Sequence, residues 1–354
     1  LQVNEKKIEI RPVYEFSTIA SFAMEIVRKS WKEQEIKPKN FSEERLHQLY
    51  KDICKYRTGG RCDNNAPIVA QDGKKYRKCH LENTQVSSMD ITSMYPYTMM
   101  IYPCYFPGDG DIVEVNGPLP EGKLGYSYCD VTQNEILTKV VAEKTGLNDW
   151  HTKNTLNQYL FSDVQQEDIK KHGGNISNIT KSYYFENSKK NIEYFGILLN
   201  FKEEKDKQDR LKEENSPEYN AAMRETAKLI MNSVSGKMGE GLHLEKTQSL
   251  SYDEFFKFIK RLGGKDGMTI QEAINCEYED IDGKIKIIEE LTEYLIISFK
   301  YTEVSQMRKS KSIFIGAYIY DYSKRYMYDS VFAQINNNYI YSDTDSCHML
   351  RSEE

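Results

Sequence analysis

Two acidic segments far apart in the chain carry the residue types that a metal-dependent reaction needs. Asp90 ends a predicted strand, and Asp343 and Asp345 enclose a single threonine at the end of a β-rich run. On a tight turn between strands, such carboxylates repel each other unless a cation lies between them. Any one of these residues alone could simply cap a turn, which is a common role for Asp.

The chemistry that fits paired carboxylates is phosphoryl transfer, because this reaction depends on positioning and on neutralisation of charge. Two divalent ions about 3.5–4 Å apart can activate an attacking hydroxyl and stabilise the leaving oxygen. Mg²⁺ is bound by a few carboxylates together with substrate phosphates. The acidic segments therefore predict a site for two Mg²⁺ ions, with Mn²⁺ as a possible replacement.

A third segment supplies positive charge. Arg224 and Lys228 are four residues apart and share one face of a predicted helix. Two stacked cations repel by a few tenths of a kcal/mol, which favours a polyanion such as a triphosphate lying across them. The alternative is that both are solvent-exposed and paired with Glu225 or nearby acids. The spacing alone does not separate these two interpretations.

The elements that must position these residues follow from periodicity and turn signals. The charged stretch 201–219 predicts a solvated helical face, and a second helix is predicted over 218–231 after the break at Pro217. An Asp-Gly signal predicts a hairpin turn at 280–283, between 276–278 and 284–288. Residues 339–341 predict the strand that leads into the last acidic segment.

Composition limits the class of protein. Of the 354 residues, 29% are charged and 12% aromatic, which predicts a folded protein of two or three lobes. No apolar run approaches the roughly 20 residues of a membrane helix, and the N-terminus lacks a signal-like apolar stretch. We therefore expect an intracellular protein without a membrane segment. The net charge of −6 counts against nucleic-acid binding, although basic residues can be concentrated locally.

The seven cysteines are scattered and odd in number, which favours thiols in a reducing compartment over a disulfide framework. A zinc site could be imagined from Cys54, Cys62, Cys79 and His80. Their spacing has no paired C-x-x-C character, so buried thiols are the better interpretation.

Taken in order, the three segments resemble the motifs of family B DNA polymerases of the protein-primed kind, close to the organellar-plasmid and viral branch. Residues 90–96 resemble the first palm motif, D-x-x-S-[LM]-Y-P. Residues 228–236 resemble the fingers motif, K-x-x-x-N-S-x-[YS]-G, and 341–346 resemble the second palm motif, Y-x-D-T-D-S. Upstream, 56–61 resemble the Tyr-Gly-Gly element that touches template DNA, although Gly-Gly could also be an ordinary turn.

The resemblance implies a role for individual residues. It makes Asp90 and Asp345 metal ligands, with the Ile91 carbonyl as a further ligand and Asp343 in support. It puts Tyr95 under the incoming sugar, where it excludes ribonucleotides. The remaining implied contacts are Arg224 and Lys228 on the triphosphate, Asn232 and Gly236 around the nascent base pair, and Tyr56, Gly59 and Gly60 on DNA.

The implied fold class is α+β: a polymerase palm whose antiparallel sheet carries the carboxylates, helical fingers and inserted subdomains. The expected divisions are an N-terminal lead-in (1–55), the first portion of the palm (56–125), an insertion of the protein-primed type (126–200), fingers (201–250), a second insertion (251–310) and the last portion of the palm (311–354).

The sequence departs from the family pattern in two respects. Ser235 stands where the family usually has Tyr, so fidelity or nucleotide affinity is expected to differ. The nine residues after Asp345 leave no room for a thumb, and 1–55 leave none for a proofreading exonuclease. We therefore expect a second chain that carries the thumb, the exonuclease or both.

The resulting hypothesis is a DNA-directed DNA polymerase core of a viral or linear-plasmid replication system, in the host cytoplasm or an organelle such as the mitochondrion. Its expected partners are primer-template DNA, dNTPs and a terminal priming protein. One alternative is a truncated, non-catalytic DNA-binding remnant. Another is a nuclease that uses the same carboxylates, which the fingers-like segment disfavours.

Overall fold

The chain forms two compact units. The computed structural model describes residues 2–3, 6–7, 18–38, 43–64, 68–71, 74–77, 86–132, 143–144, 150–151, 155–240, 244–309, 313–335 and 339–350. The first unit comprises Leu1–Lys39, Asp52–Gly239 and Ser312–Glu354, and the second comprises Asn40–Lys51 and Glu240–Lys311. Cys79 and His80 of the imagined zinc site lie outside the described residues.

Helices and antiparallel strands alternate irregularly along the chain, which confirms the predicted α+β class. The helices are α1 (Ile19–Glu33), α2 (His47–Tyr56), α3 (Met94–Met100), α4 (Asp163–Lys171), α5 (Asn191–Phe195), α6 (Leu199–Glu213), α7 (Ala221–Met238), α8 (Tyr252–Arg261), α9 (Ile270–Asn275), α10 (Glu303–Lys309) and α11 (Ile313–Met327), which continues as a π-turn, Tyr328–Phe332. The strands are β1 (Gln2–Val3), β2 (Lys6–Lys7), β3 (Arg61–Asn64), β4 (Ile68–Gln71), β5 (Lys74–Arg77), β6 (Val86–Asp90), β7 (Tyr105–Pro107), β8 (Ile112–Asn116), β9 (Gly125–Thr132), β10 (Glu143–Lys144), β11 (Trp150–His151), β12 (Thr155–Ser162), β13 (Asn175–Phe185), β14 (Ser188–Lys190), β15 (Glu245–Ser251), β16 (Lys286–Glu290), β17 (Tyr294–Lys300), β18 (Tyr341–Thr344) and β19 (Ser346–Leu350).

The acidic segments lie on one four-stranded antiparallel sheet of the first unit, in the order β3-β18-β19-β6. Alternation along a strand directs neighbouring side chains to opposite faces. Ser342 and Cys347 are accordingly buried, whereas Asp343 is exposed. The strand predicted at 339–341 begins only at Tyr341, although the Ile340 N–H still donates to the His348 carbonyl oxygen of β19 over 2.8 Å.

A second sheet of the same unit, in the order β12-β9-β13-β8, falls largely within the segment predicted to be an insertion. One hydrophobic cluster joins side chains of this sheet to residues from both acidic segments. It includes Met94, Val131, Phe161, Phe332 and Cys347, which are all at most 2% exposed. The carboxylate-bearing strands are thus fixed by a shared core rather than by their own hydrogen bonds alone.

Helices α6 and α7 pack against each other in the first unit, and α7 carries both predicted cations, Arg224 and Lys228. Helix α7 begins at Ala221 and not at 218, because the Asn220 side chain caps it by accepting from the Met223 N–H. It also runs on to Met238, beyond the predicted end at 231. The solvated-face interpretation of 201–219 is incomplete, since Lys205 and Gln208 are buried.

The second unit contains the sheet β15-β17-β16, whose buried face includes Leu295, Ile297 and Phe299 packed with residues of α8. The hairpin predicted around 280–283 is wrong. Gly283 does adopt a left-handed conformation (φ +81°), but Ile281 makes only an isolated bridge with Tyr301. The true hairpin is β16–β17, with its turn at 291–293.

Two findings concern properties expected from composition. Within the described ranges, no helix combines the length and the apolar character needed to cross a membrane. The six described cysteines form no disulfide with each other.

Candidate active site

The two acidic segments meet at the end of the four-stranded sheet. In the strand register Asp90 lies opposite Ser346, and Ser346 lies opposite Asp343. The Ile91 N–H donates to the Asp345 carbonyl oxygen over 2.8 Å, and the Asp345 N–H donates to the Asp343 carbonyl oxygen over 2.7 Å. Residues roughly 250 positions apart in the sequence are therefore hydrogen-bonded neighbours, as the motifs predicted.

The electrostatics at this point favour a cation. Burial, followed by the negative charges of Asp90 and Asp343, raises the pKa of Asp345, whereas the positive charge of Lys228 lowers it. Like-charged carboxylates of this kind gain stability when a divalent ion lies between them. Among the residues that the structure describes, no three His, Cys, Asp or Glu side chains could enclose a metal ion by themselves. The donor set therefore fits an ion bound by two carboxylates, with substrate phosphate and water as the other ligands.

A cleft of about 440 Å³ joins these carboxylates to the predicted cations. Its lining includes Asp90 and Asp345 on one side and Arg224, Lys228 and Asn232 of α7 on the other. The spacing of four residues puts the three α7 side chains on one helix face. The cleft thus places negative and positive groups around a single volume, which suits a phosphate-bearing ligand accompanied by divalent cations.

The alternative prediction for Arg224, pairing with Glu225 or nearby acids, is confirmed as far as the pairing is concerned. Its Nε donates to Asp209 and its Nη1 donates to Glu225, and the bond to Asp209 is the main reason why its pKa is raised. Arg224 is nevertheless a lining residue of the cleft, with its side chain 23% exposed. Pairing with acids and facing the cleft are therefore compatible.

Sequence reasoning missed Lys205 of α6, which lines the same cleft. Its side chain is only 11% exposed, and its Nζ lies 2.7 Å from Asp209 Oδ2. A lysine in a run of charges gives no sign of burial. The available signal was the i,i+4 Lys-Asp pair on a helix that packs against α7, and this pair lay within the stretch interpreted as solvated.

Tyr95 is held by the glycine element. The Gly60 N–H donates to Tyr95 Oη over 2.8 Å, and the Tyr95 ring lies 5.3 Å from the ring of Tyr320. Burial raises the pKa of Tyr95, so the phenol is neutral at physiological pH. The ring lines the cleft beside Asp90 and Asp345.

Gly60 also lies directly against the acidic turn. A Cβ at this position would be 2.5 Å from Thr344 Cγ2 and 2.7 Å from Thr344 Cα. Thr344 itself has φ +55°, and Ser93, in the segment that follows Asp90, has φ +56°. Such left-handed conformations cost about 1–3 kcal/mol for residues other than glycine. The structure thus gives Gly60 a packing role, whereas its contact with DNA stays a prediction.

The other predicted residues lie around the site without lining the cleft. Tyr56 packs near Tyr159, with 4.2 Å between ring centroids. Gly236 is exposed and has open space where a Cβ would be. Ser235, which replaces the usual Tyr, is buried and donates to the Asn232 carbonyl oxygen over 2.8 Å. The position of the family's aromatic residue therefore presents no side chain to the cleft.

A family model and a viral relative match this chain by sequence. The family model for DNA polymerase type B, organellar and viral, matches residues 5–336. Uncharacterized protein 075R of Invertebrate iridescent virus 3 is 32% identical over 133 residues, which are 37% of this chain and 70% of that protein.

Solved structures of Phi29 DNA polymerase share the fold. The orthorhombic crystal form matches with a TM-score of 0.58 and 15% identity, over 95% of this chain and 49% of that chain. The ternary complex with primer-template DNA and incoming nucleotide matches with a TM-score of 0.57 and 15% identity, over 96% and 50%. The chain therefore spans about half the length of these polymerases. Together the matches confirm the resemblance that the motifs indicated.

Proposed function

This chain belongs to the organellar and viral family of type B DNA polymerases, and from that membership we propose that it catalyses template-directed nucleotidyl transfer from dNTPs to a primer 3′-hydroxyl. The observation that carries the proposal is the single cleft lined by Asp90, Asp345, Arg224 and Lys228. A phosphate-transfer reaction needs acidic metal ligands and cationic phosphate ligands on one volume.

Asp90 and Asp345 are the proposed ligands of two Mg²⁺ ions, with Mn²⁺ as an alternative, together with the Ile91 carbonyl oxygen. When bound, such ions supply charge neutralisation at the attacking and leaving oxygens. Asp343 supports the site: its Oδ1 accepts hydrogen bonds from Cys62 Sγ over 2.8 Å and from Thr344 Oγ1 over 3.2 Å. These bonds restrain the Asp343 carboxylate beside the ligand pair.

Arg224 and Lys228 are proposed to bind the triphosphate, and Lys205 is added to them because it lines the same cleft. Arg presents several N–H groups in a planar fork, and Lys provides a compact point charge, so the two types suit different phosphate oxygens. Three cations oriented towards one volume would hold the phosphates in line for attack.

Tyr95 is proposed to support the sugar of the incoming nucleotide and to exclude a 2′-hydroxyl. The bond from Gly60 N–H and the neighbouring Tyr320 ring support a fixed ring position. Asn232 is proposed to contact the nascent base pair from the cleft side, and Gly236 to leave room for it.

The proposed macromolecular partners are primer-template DNA and a terminal priming protein. Phi29 DNA polymerase has been solved with primer-template DNA and incoming nucleotide, which supports the first. Tyr56, Gly59 and Gly60 are proposed to contact DNA, and 126–200 and 251–310 to act as insertions of the protein-primed type. A second chain that carries a thumb or exonuclease stays a prediction.

Primer extension with the full protein tests the proposal, with Mg²⁺ or Mn²⁺ and a labelled primer-template. We expect extension by the wild-type protein and none by Asp345→Ala. Asp206→Ala is a suitable control, because it removes an acid from α6 whose side chain is 41% exposed. Failure of the wild-type protein to extend any primer, with or without candidate partner chains, would instead favour a non-catalytic DNA-binding protein.

A further inference from the structure

One carboxylate, Asp209 of α6, accepts hydrogen bonds from two of the cations that line the cleft. Lys205 Nζ donates to its Oδ2 over 2.7 Å, and Arg224 Nε donates to its Oδ1. Each carboxylate oxygen of Asp209 thus accepts a hydrogen bond from one of the two cations. Asp209 itself is not among the residues that line the cleft, so it contacts the cations from behind.

Partial burial of the two cations favours this arrangement. The Lys205 side chain is 11% exposed and the Arg224 side chain 23% exposed, and they lie in one cleft with a third cation, Lys228. Partly buried like charges destabilise each other and lose hydration. The bond from Lys205, together with that from Arg224, lowers the pKa of Asp209, so the carboxylate stays charged and balances them.

The same contacts fix the direction of both donors. With Nε on Asp209 and Nη1 on Glu225, the plane of the Arg224 guanidinium is set by two bonds, and further N–H groups stay available for phosphate. Lys205 has three N–H donors and a flexible stem, and its bond to Asp209 restrains that stem. Pre-organised donors lose less entropy when a ligand binds.

We infer that Asp209 is a positioning residue that holds Lys205 and Arg224 in the orientation required by the triphosphate of an incoming dNTP. This inference rests on the proposed function of the cleft. Asp209 does not touch the nucleotide; it acts through the two cations.

The chain offers a matched control on the same helix. Asp206 pairs with Lys202 at the same i,i+4 spacing as Asp209 with Lys205. Asp206→Asn and Asp209→Asn therefore remove the same charge from α6 and break the same type of pair. Only Asp209→Asn also releases Arg224. If net charge alone mattered, both variants would bind a polyanion equally well, or slightly more tightly than the wild type.

The experiment measures equilibrium binding of dGTP and dGMP to the full protein in Ca²⁺, and KM and kcat in Mg²⁺. For Asp209→Asn we expect about tenfold weaker dGTP binding, equivalent to one charge-assisted hydrogen bond. KM should rise more than kcat falls, and dGMP binding should change less than about twofold. Asp206→Asn should stay within about twofold of the wild type, and Asp209→Glu should recover some of the loss.

Equal dGTP affinity of the Asp209→Asn and Asp206→Asn proteins would overturn the inference while leaving the proposed function intact. So would an equal loss of dGTP and dGMP binding in Asp209→Asn, because that pattern indicates a general structural defect. A wild-type protein that binds no dNTP would overturn the proposed function and this inference with it. Thermal melting of each variant identifies any protein that has lost its fold.

Discussion

The close approach of Gly60 to the acidic turn predicts a large effect for Gly60→Ala. A Cβ at Gly60 would lie 2.5 Å from Thr344 Cγ2 and 2.7 Å from Thr344 Cα. Carbon atoms make favourable contact at about 3.5–4.0 Å. The backbone at Gly60 and the backbone at Thr344 must therefore separate by roughly 1 Å. The Thr344 Cα belongs to the backbone, so a change of side-chain rotamer cannot relieve the contact.

The energetic cost has two components. Overpacking costs about 1–3 kcal/mol, and separation also weakens the bond from Gly60 N–H to Tyr95 Oη, which contributes about 1 kcal/mol. We therefore expect Gly60→Ala to lower the free energy of unfolding by roughly 2–4 kcal/mol. Because Thr344 lies between Asp343 and Asp345, extension activity should also fall.

Gly59→Ala is the matched control, because a Cβ there would meet only Tyr95 Oη at 3.7 Å, an ordinary van der Waals contact. Urea denaturation of both variants, followed by primer extension, measures the two effects. We expect Gly59→Ala to remain within about 1 kcal/mol of the wild type. Equal stability of the two alanine variants would refute the packing role that the structure gives to Gly60.

Three further predictions concern single side chains. Tyr95→Val should increase ribonucleotide incorporation, measured as the ratio of kcat/KM for rNTP and dNTP; unchanged selectivity would contradict its proposed role. Lys228→Ala should raise the KM for dNTP by about tenfold or more, as expected for a hydrogen bond to a charged group, in steady-state extension assays. Desolvation raises the pKa of Asp163 from 3.8 to about 7, so its contribution to stability should be complete below about pH 4 and fall by up to about 4 kcal/mol as pH rises through 7. Asp163→Asn, which resembles the neutral acid, should reduce this dependence of the free energy of unfolding on pH, measured by urea denaturation at several pH values. Parallel pH profiles for the wild type and the variant would refute the raised pKa of Asp163.

The structure brings together at one cleft the residues that the sequence motifs singled out, Asp90, Asp345, Arg224 and Lys228. The order of the motifs predicted that Asp90 and Asp345 would converge. Within each motif, the residue types determine the local backbone geometry. Lys205 was missed because burial depends on the packing of α6 against α7, which lies outside any local window. Gly60 was interpreted as a turn or a DNA contact, since the approach of Thr344 is a tertiary contact between residues far apart in the chain.

The predicted boundaries of helices and strands were wrong where a side-chain contact, rather than the sequence pattern, decides where an element begins or ends. The Asp-Gly signal near Gly283 is genuine as a turn, but Ile281 packs into the core of its unit and leaves the hairpin to β16 and β17. Similarly, the start of α7 was set by the Asn220 cap rather than by the break at Pro217. The position of the hairpin and the start of α7 thus depend on the tertiary packing of Ile281 and on the cap made by Asn220.

The strand order of the acid-bearing sheet has a consequence for biosynthesis. Its two middle strands, β18 and β19, follow both outer strands along the chain by roughly 250 residues. Ribosomes add about 5–20 residues per second. The interval between synthesis of the outer strands, β3 and β6, and synthesis of β18 and β19 is therefore on the order of 10–50 s. During that interval β3 and β6 lack the strands with which they pair in the folded sheet, and Asp90 cannot yet meet Asp343 and Asp345. The cluster of Asp90, Asp343 and Asp345 therefore forms in one late step, when the β18–β19 hairpin pairs with both outer strands.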